Sequence, residues 1–99
     1  MEIDFNDIIN FPSENIIDLR SKDEYNNWHI KGSVNTSYNK ILVNPENYLN
    51  KRVKYLLLCD YGKMSKKVCE ILRKQGFLTF SLLHGIKKYK IFFNENKKN

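Results

Sequence analysis

Cysteine is scarce in this chain. Cys59 and Cys69 are the only two among 99 residues. So few thiols exclude a disulfide scaffold, and their spacing is not that of a C-x-x-C redox pair. There is no second Cys/His cluster of the kind a structural zinc site needs, so no metal is expected. Glycine and proline are also few, at four and two. No low-complexity linker and no internal repeat is visible. Long apolar runs are missing too. The longest, residues 55–59, falls far short of the roughly 20 residues a spanning helix needs. The opening residues are acidic and lack the basic-then-apolar order of a secretory leader, so a cytoplasmic protein with no membrane partner is expected.

What is present fits one small globular domain. Hydrophobic residues make up 41% of the chain, enough for one core at this length. The net charge is +6. The lysines are scattered, and several fall in the polar tail of residues 94–99. They read as a solvated surface rather than a nucleic-acid site, and their field can still attract a small anion.

Strands and helices alternate in the pattern. Residues 2–5 suit an edge strand, and residues 6–11 suit one or two helical turns. Residues 16–19 form a short apolar run that reads as a buried strand. Ser21 and Glu24 then form a capping box, with the Ser21 hydroxyl accepting from the Glu24 N–H. Tyr25 and Trp28, three apart, are expected to share a face of that helix, which Gly32 ends. Residues 33–36 read as a short strand. Residues 41–49 read as a helical connection broken at Asn44-Pro45, with Tyr48 and Leu49 buried. Residues 54–59 are the clearest central strand, apolar enough for burial on both sheet faces. Residues 60–64 make a loop. A helix is expected over residues 65–75, with Val68, Ile71 and Leu72 as its buried stripe and Gly76 as its C-terminal cap. Residues 78–83 are a further strand. Gly85 opens an amphipathic end containing Ile86, Tyr89, Ile91, Phe92 and Phe93. The sum is an α/β domain over residues 1–93, with a central, mostly parallel sheet covered by helices on both faces.

In open parallel sheets, ligands bind beyond the carboxyl ends of the strands. Cys59 ends the strongest strand and precedes a glycine-containing turn and a helix start. The N–H groups of such a turn converge on one anion, and the helix dipole adds to them. A cysteine placed there ionises more readily, and the thiolate is the nucleophile. Many strand-end cysteines are nonetheless only small buried hydrophobes.

The surrounding residues narrow the choice. Ile17-Asp18-Leu19-Arg20, Glu24-Tyr25 and the stretch from His29 to Asn35 resemble the signature I-D-x-R-x-x-x-E-[FY]-x-x-x-H-I-x-G-[AS]-x-N of rhodanese-like domains. The residues Cys59, Asp60, Tyr61, Gly62, Lys63, Met64 and Ser65 are similar to that family's active-site loop, C-x-x-G-x-x-S. Leu83, His84, Gly85, Ile86 and Tyr89 resemble its closing segment, with His84 and Tyr89 as departures. The resemblance runs over about residues 3–93. It implies a single rhodanese-like domain with a five-stranded sheet. It also implies sulfur transfer: Cys59 takes a sulfane sulfur as a persulfide and passes it to a thiol acceptor. The donor would be a small persulfide or thiosulfate, either partner could be protein-borne, and the backbone of residues 60–65 would form the cradle. No cofactor is implied, because the chemistry is exchange at sulfur.

Two departures bear on activity. Active single-domain members commonly carry arginine directly after the cysteine and again before the serine. Here Asp60 and Met64 occupy those positions. Asp60 sets negative charge beside a would-be thiolate and repels a dianion such as thiosulfate. Lys63, with Lys66 and Lys67 a turn later, restores positive charge. Weak activity with thiosulfate is expected, and a neutral or protein-bound persulfide is the better donor.

Asp18, Arg20, Glu24 and His29 read as structural support. Arg20 is expected to pair with Glu24, Asp18 to hold loop N–H groups, and His29 to be a satisfied, half-buried ring. Cys69 reads as a buried thiol, with a resolving role for Cys59 as the alternative. Tyr61 is either packed or exposed at the loop tip. The competing function is a non-catalytic binding or regulatory module on the same fold. A phosphatase or arsenate reductase would need arginine six residues after the cysteine, where Ser65 stands. The domain is expected to be monomeric, with residues 91–93 packing on its own core.

Overall fold

The computed structural model describes residues 1–90. Five strands, β1 (Glu2–Ile3), β2 (Ile16–Asp18), β3 (Val34–Asn35), β4 (Lys54–Leu58) and β5 (Leu78–Leu82), form one sheet in the order β1-β5-β4-β2-β3. Every pairing is parallel. Three helices accompany them: α1 (Lys22–Asn27), α2 (Tyr38–Val43) and α3 (Lys63–Lys74). Short 3₁₀ segments are also present, including Phe5–Asn10 and Lys87–Tyr89.

The alternation within β4 explains the two-sided core. Tyr55 and Leu57 face one cluster, with Ile17, Leu19, Ile41 of α2 and Val68, Cys69 and Leu72 of α3. Leu56 and Leu58 face the other, with Ile16, Trp28, Leu82 and Ile86. Leu56, Leu57 and Leu58 are all fully buried. Burial of each such side chain stabilises the fold by about 1.5–3 kcal/mol, so β4 anchors the sheet.

The elements differ from the sequence reading at a few points. Helix α1 ends at Asn27, and Trp28 follows in extended conformation with φ −166°, dropping into the core beyond the helix. The chain leaves the helix because Trp28 packs on the β4 face that carries Leu56 and Leu58. Tyr48 is 37% exposed, whereas Ile41 and Leu49 carry that connection's burial. Helix α3 starts at Lys63 rather than at residue 65, because Gly62 with φ +91° turns the chain into it early. That start aims Ser65, Val68, Cys69 and Leu72 at the sheet and leaves Ile71 43% exposed. Phe5 lies in a 3₁₀ turn rather than in β1, its ring stacked on Tyr89 at 4.0 Å. The expectations for Ile91, Phe92, Phe93 and the 94–99 tail lie outside the described residues. No helix among the described residues is long and apolar enough to cross a membrane.

The strand order fixes where a site forms. The connection after β2 runs to β3 on one side, and the connection after β4 runs to β5 on the other. A crevice therefore opens between the carboxyl ends of β2 and β4, the switch point at which open parallel sheets bind ligands. The register Asp18↔Leu58 brings Leu19 and Arg20 out beside Cys59 and Asp60.

Candidate functional site

Cys59 is the first residue past β4 and is 8% exposed. Its Sγ accepts the N–H of Gly62 at 3.1 Å and the N–H of Ser65 at 3.3 Å. A helix leaves its first N–H groups without partners within the helix. Here the one on Ser65 is spent on sulfur. Ser65 Oγ lies 3.2 Å from the same Sγ and donates to the Gly62 carbonyl at 3.2 Å. The sulfur thus sits against two backbone donors, an arrangement suited to an anion, while the thiol form donates to the Ser65 hydroxyl oxygen.

A second loop braces this cradle. Ile86 N–H donates to the Cys59 carbonyl at 3.0 Å, and Lys87 N–H donates to the Asp60 carbonyl at 3.1 Å. Gly85, with φ +79°, lies so close that an added Cβ would stand 2.2 Å from the Asp60 carbonyl oxygen. His84, at one of the departures from the family pattern, has φ +69°, a left-handed conformation that favours glycine.

Cys59 opens onto a cavity of about 400 Å³. Tyr61 and Met64, 65% and 39% exposed, line it with Tyr38 from α2. Lys63 and Lys67 of α3 line it, as do Glu24 and Asp60. Lys87 Nζ stands 5.4 Å from the Tyr61 ring centroid. Tyr61 is therefore an exposed residue of the pocket mouth.

Asp60 meets Glu24. Burial pushes the Asp60 carboxyl above its ordinary range, and hydrogen bonding to Glu24 and that group's charge add to the effect. The hydrogen bond with Asp60 holds Glu24 below its ordinary range. Two neighbouring carboxyls do not ionise independently, and the proton is held more tightly on Asp60 than on Glu24.

The support residues lie behind this wall. Arg20 pairs with Asp18, not with Glu24. Its Nε and Nη2 reach Asp18 Oδ1 and Oδ2 at 3.0 and 2.8 Å, and Nη2 also donates to the Trp28 carbonyl at 2.6 Å. Asp18, fully buried, is the carboxylate that the planar guanidinium fits in bidentate fashion, and it also accepts the Arg20 N–H at 3.0 Å. Asn35 Nδ2 donates to the carbonyls of Asp18 and Arg20, both at 2.9 Å. His29 does not line the pocket. Its Nδ1 donates to the Tyr25 carbonyl at 2.7 Å, and its ring stacks on Tyr25 at 3.7 Å. Tyr25 in turn donates to the Ser33 carbonyl. Cys69 is fully buried, and burial pushes its thiol up to about 12, which disfavours the thiolate a resolving role needs.

Sequence reasoning named the cradle but missed Tyr38 as a lining residue and Glu24 as the partner of Asp60. Ser37 was the available signal for Tyr38. It caps α2 by accepting the Lys40 N–H at 3.2 Å, which places Tyr38 just past the carboxyl end of β3.

A buried cysteine held by loop N–H groups at the switch point of a parallel sheet makes this an α/β domain with a cysteine loop suited to an anion. The family model for the rhodanese-like domain matches residues 3–91. The chain belongs to the rhodanese-like domain family. A tRNA sulfurtransferase of Pyrobaculum aerophilum is 34% identical over 67 residues, 68% of this chain. The match spans only 14% of that longer relative. The crystal structure of SSP1007 from Staphylococcus saprophyticus superposes with TM-score 0.77 at 25% identity, covering 89% of this chain and 91% of that one. A rhodanese-related protein of Thermoplasma volcanium gives TM-score 0.73 at 22% identity, over 89% and 88% of the two chains. Reduced CoADR-RHD of Bacillus anthracis gives 0.80 at 19% identity, over 94% of this chain and 17% of that one.

Proposed function

We propose that this domain is a sulfurtransferase or persulfide carrier with Cys59 as its nucleophile. The supporting observation is the Cys59 Sγ held by the Gly62 and Ser65 N–H groups at the edge of an open pocket. Family membership and the sulfurtransferase relative support sulfur transfer in general terms. In the first half-reaction the Cys59 thiolate attacks the outer sulfur of a persulfide RS–SH. A Cys59–S–SH bond forms, the RS–SH bond breaks, and RS⁻ leaves with the electron pair. In the second, an acceptor thiolate R′S⁻ attacks the outer sulfur of Cys59–S–SH. R′S–SH forms and the Cys59 thiolate returns, with no net oxidation.

Thiosulfate is the weaker donor in this reading. The Asp60–Glu24 wall faces the pocket, and the Arg20 guanidinium is engaged by Asp18. Transfer from a persulfide donor to a thiol acceptor, followed as acceptor persulfide formed per minute, tests the assignment. Wild type is expected to turn over and Cys59→Ser to show none. Equal rates for the two would refute it. The second reading, a non-catalytic module, draws on Asp60 and Met64 standing at the usual arginine positions. It predicts a folded protein that never takes up sulfur.

A further inference from the structure

Asp60, one of the two departures from the family's arginine positions, follows Cys59 in the chain, lines the same cavity and interacts with Glu24. We propose that Asp60, paired with Glu24, is the general acid and base for transfer between thiols. It gives its proton to the departing thiolate and takes one from the incoming thiol. The inference rests on the Cys59 carrier reading and names its substrate class: thiol-based donors and acceptors rather than oxyanions.

Placement comes first. Asp60 follows Cys59 directly, and both line the same cavity, as does Glu24. The Asp60 backbone is fixed by the Lys87 N–H and by the close approach of Gly85, so the carboxyl emerges from a rigid point. Asp60 and Glu24 also border a smaller cavity of about 120 Å³ with Lys87 and Lys90.

The charges facing Asp60 decide which form it takes. Glu24 of α1 favours the protonated acid, as does burial, while Arg20 and Lys87 oppose them. Arg20 is largely committed to Asp18 and the Trp28 carbonyl, and Lys87 lies over the Tyr61 ring. Lys63 and Lys67 stand on the α3 side of the cavity, with Tyr38 from α2. The balance raises Asp60 above its ordinary range, the direction a general acid needs.

The chemistry needs such a group. Sulfite leaving from thiosulfate is stable as a dianion, and a cation suits it. An alkyl thiolate leaving from a persulfide is a strong base, and a proton suits it better. In the donor step the Asp60 proton passes to RS⁻, giving RSH and an Asp60 carboxylate. In the acceptor step that carboxylate takes the proton of R′SH as R′S⁻ attacks. One proton is passed on and one regained per cycle, so the pair ends as it began.

Leaving-group basicity gives the test. Sulfur loading would be timed by intact mass with two persulfides generated in situ, one from N-acetylcysteine amide and one from 4-nitrothiophenol. The nitrothiophenolate leaves without help. Asp60→Asn is expected to slow the alkyl donor by about 100-fold and the aryl donor only slightly. Glu24→Gln, at an exposed position, is expected to move the alkaline limb of alkyl transfer to lower pH, because the charge that holds the proton on Asp60 is gone. Wild-type loading with no selective loss in Asp60→Asn and no shift in Glu24→Gln would overturn the inference and leave the carrier reading standing. No loading of folded wild type from either donor would overturn both.

Discussion

Gly85→Ala should unseat the reactive loop without touching the reactive residue. A Cβ at Gly85 would stand 2.2 Å from the Asp60 carbonyl oxygen, 2.5 Å from its carbon and 2.6 Å from Tyr61 Cα. All three are main-chain atoms, so no side chain can swing aside. The φ of +79° adds left-handed strain of about 1–2 kcal/mol. If the loops part, the Ile86-to-Cys59 and Lys87-to-Asp60 hydrogen bonds go as well. Each is worth about 0.5–1.5 kcal/mol, and the total loss comes to about 2–5 kcal/mol. Gly76 supplies the control. Its φ is +97°, but an added Cβ meets only the Lys51 side chain at 3.7 Å. Gly76→Ala should therefore lose only the strain, about 1–2 kcal/mol. Urea unfolding followed by circular dichroism measures both. Gly85→Ala should be the less stable by at least about 1 kcal/mol and should load sulfur poorly. Equal stability of the two variants would refute the claim that the 82–87 segment braces the cysteine loop.

Three further outcomes are expected. His84→Gly should raise stability by about 0.5–1 kcal/mol, because φ +69° strains a residue with a side chain; a fall in the urea midpoint would contradict this. Arg20→Leu should destabilise by about 3–5 kcal/mol, since it leaves the fully buried Asp18 carboxylate without its partner; a loss below about 1 kcal/mol would show that the pair does not hold the β2 end. Asp60→Asn should be more stable than wild type at neutral pH. The folded-state Asp60 binds its proton more tightly than the unfolded chain does, so wild-type stability falls as pH rises from the ordinary carboxylate range through the raised value. The gap should close once the pH lies below that ordinary range, and a gap independent of pH would refute the linkage.

Much of this was legible because local patterns and global fold agree. Residues 54–59 read as a strand buried on both faces, and β4 is that strand, with Leu56–Leu58 inaccessible. Ser21 and Glu24 read as a capping box, and the Ser21 hydroxyl accepts the Glu24 N–H at 3.2 Å. Gly76 caps α3 with its N–H on the Arg73 carbonyl at 3.0 Å. The misses came where tertiary contact decides. Of the apolar stripe Val68, Ile71 and Leu72, Val68 and Leu72 are buried, but Ile71 is exposed because the sheet lies toward Ser65 and Cys69 as well. Trp28 leaves its helix to reach Leu56 and Leu58. The Asp60–Glu24 contact joins residues far apart in sequence. It exists because β2 and β4 are neighbours in register, which no local pattern states. Arg20 chose Asp18 over Glu24 because the buried carboxylate gains more from a bidentate partner than an exposed one does.

The most direct test of the central claim is the mass of the protein itself. Reduced wild type and Cys59→Ser would be treated with glutathione persulfide, or separately with thiosulfate, and read by intact mass and then by peptide mapping. The account predicts one added sulfur on wild type, located at Cys59, more from the persulfide than from thiosulfate, and none on the variant. A folded wild type that gains no sulfur, or that gains it at Cys69, would contradict it.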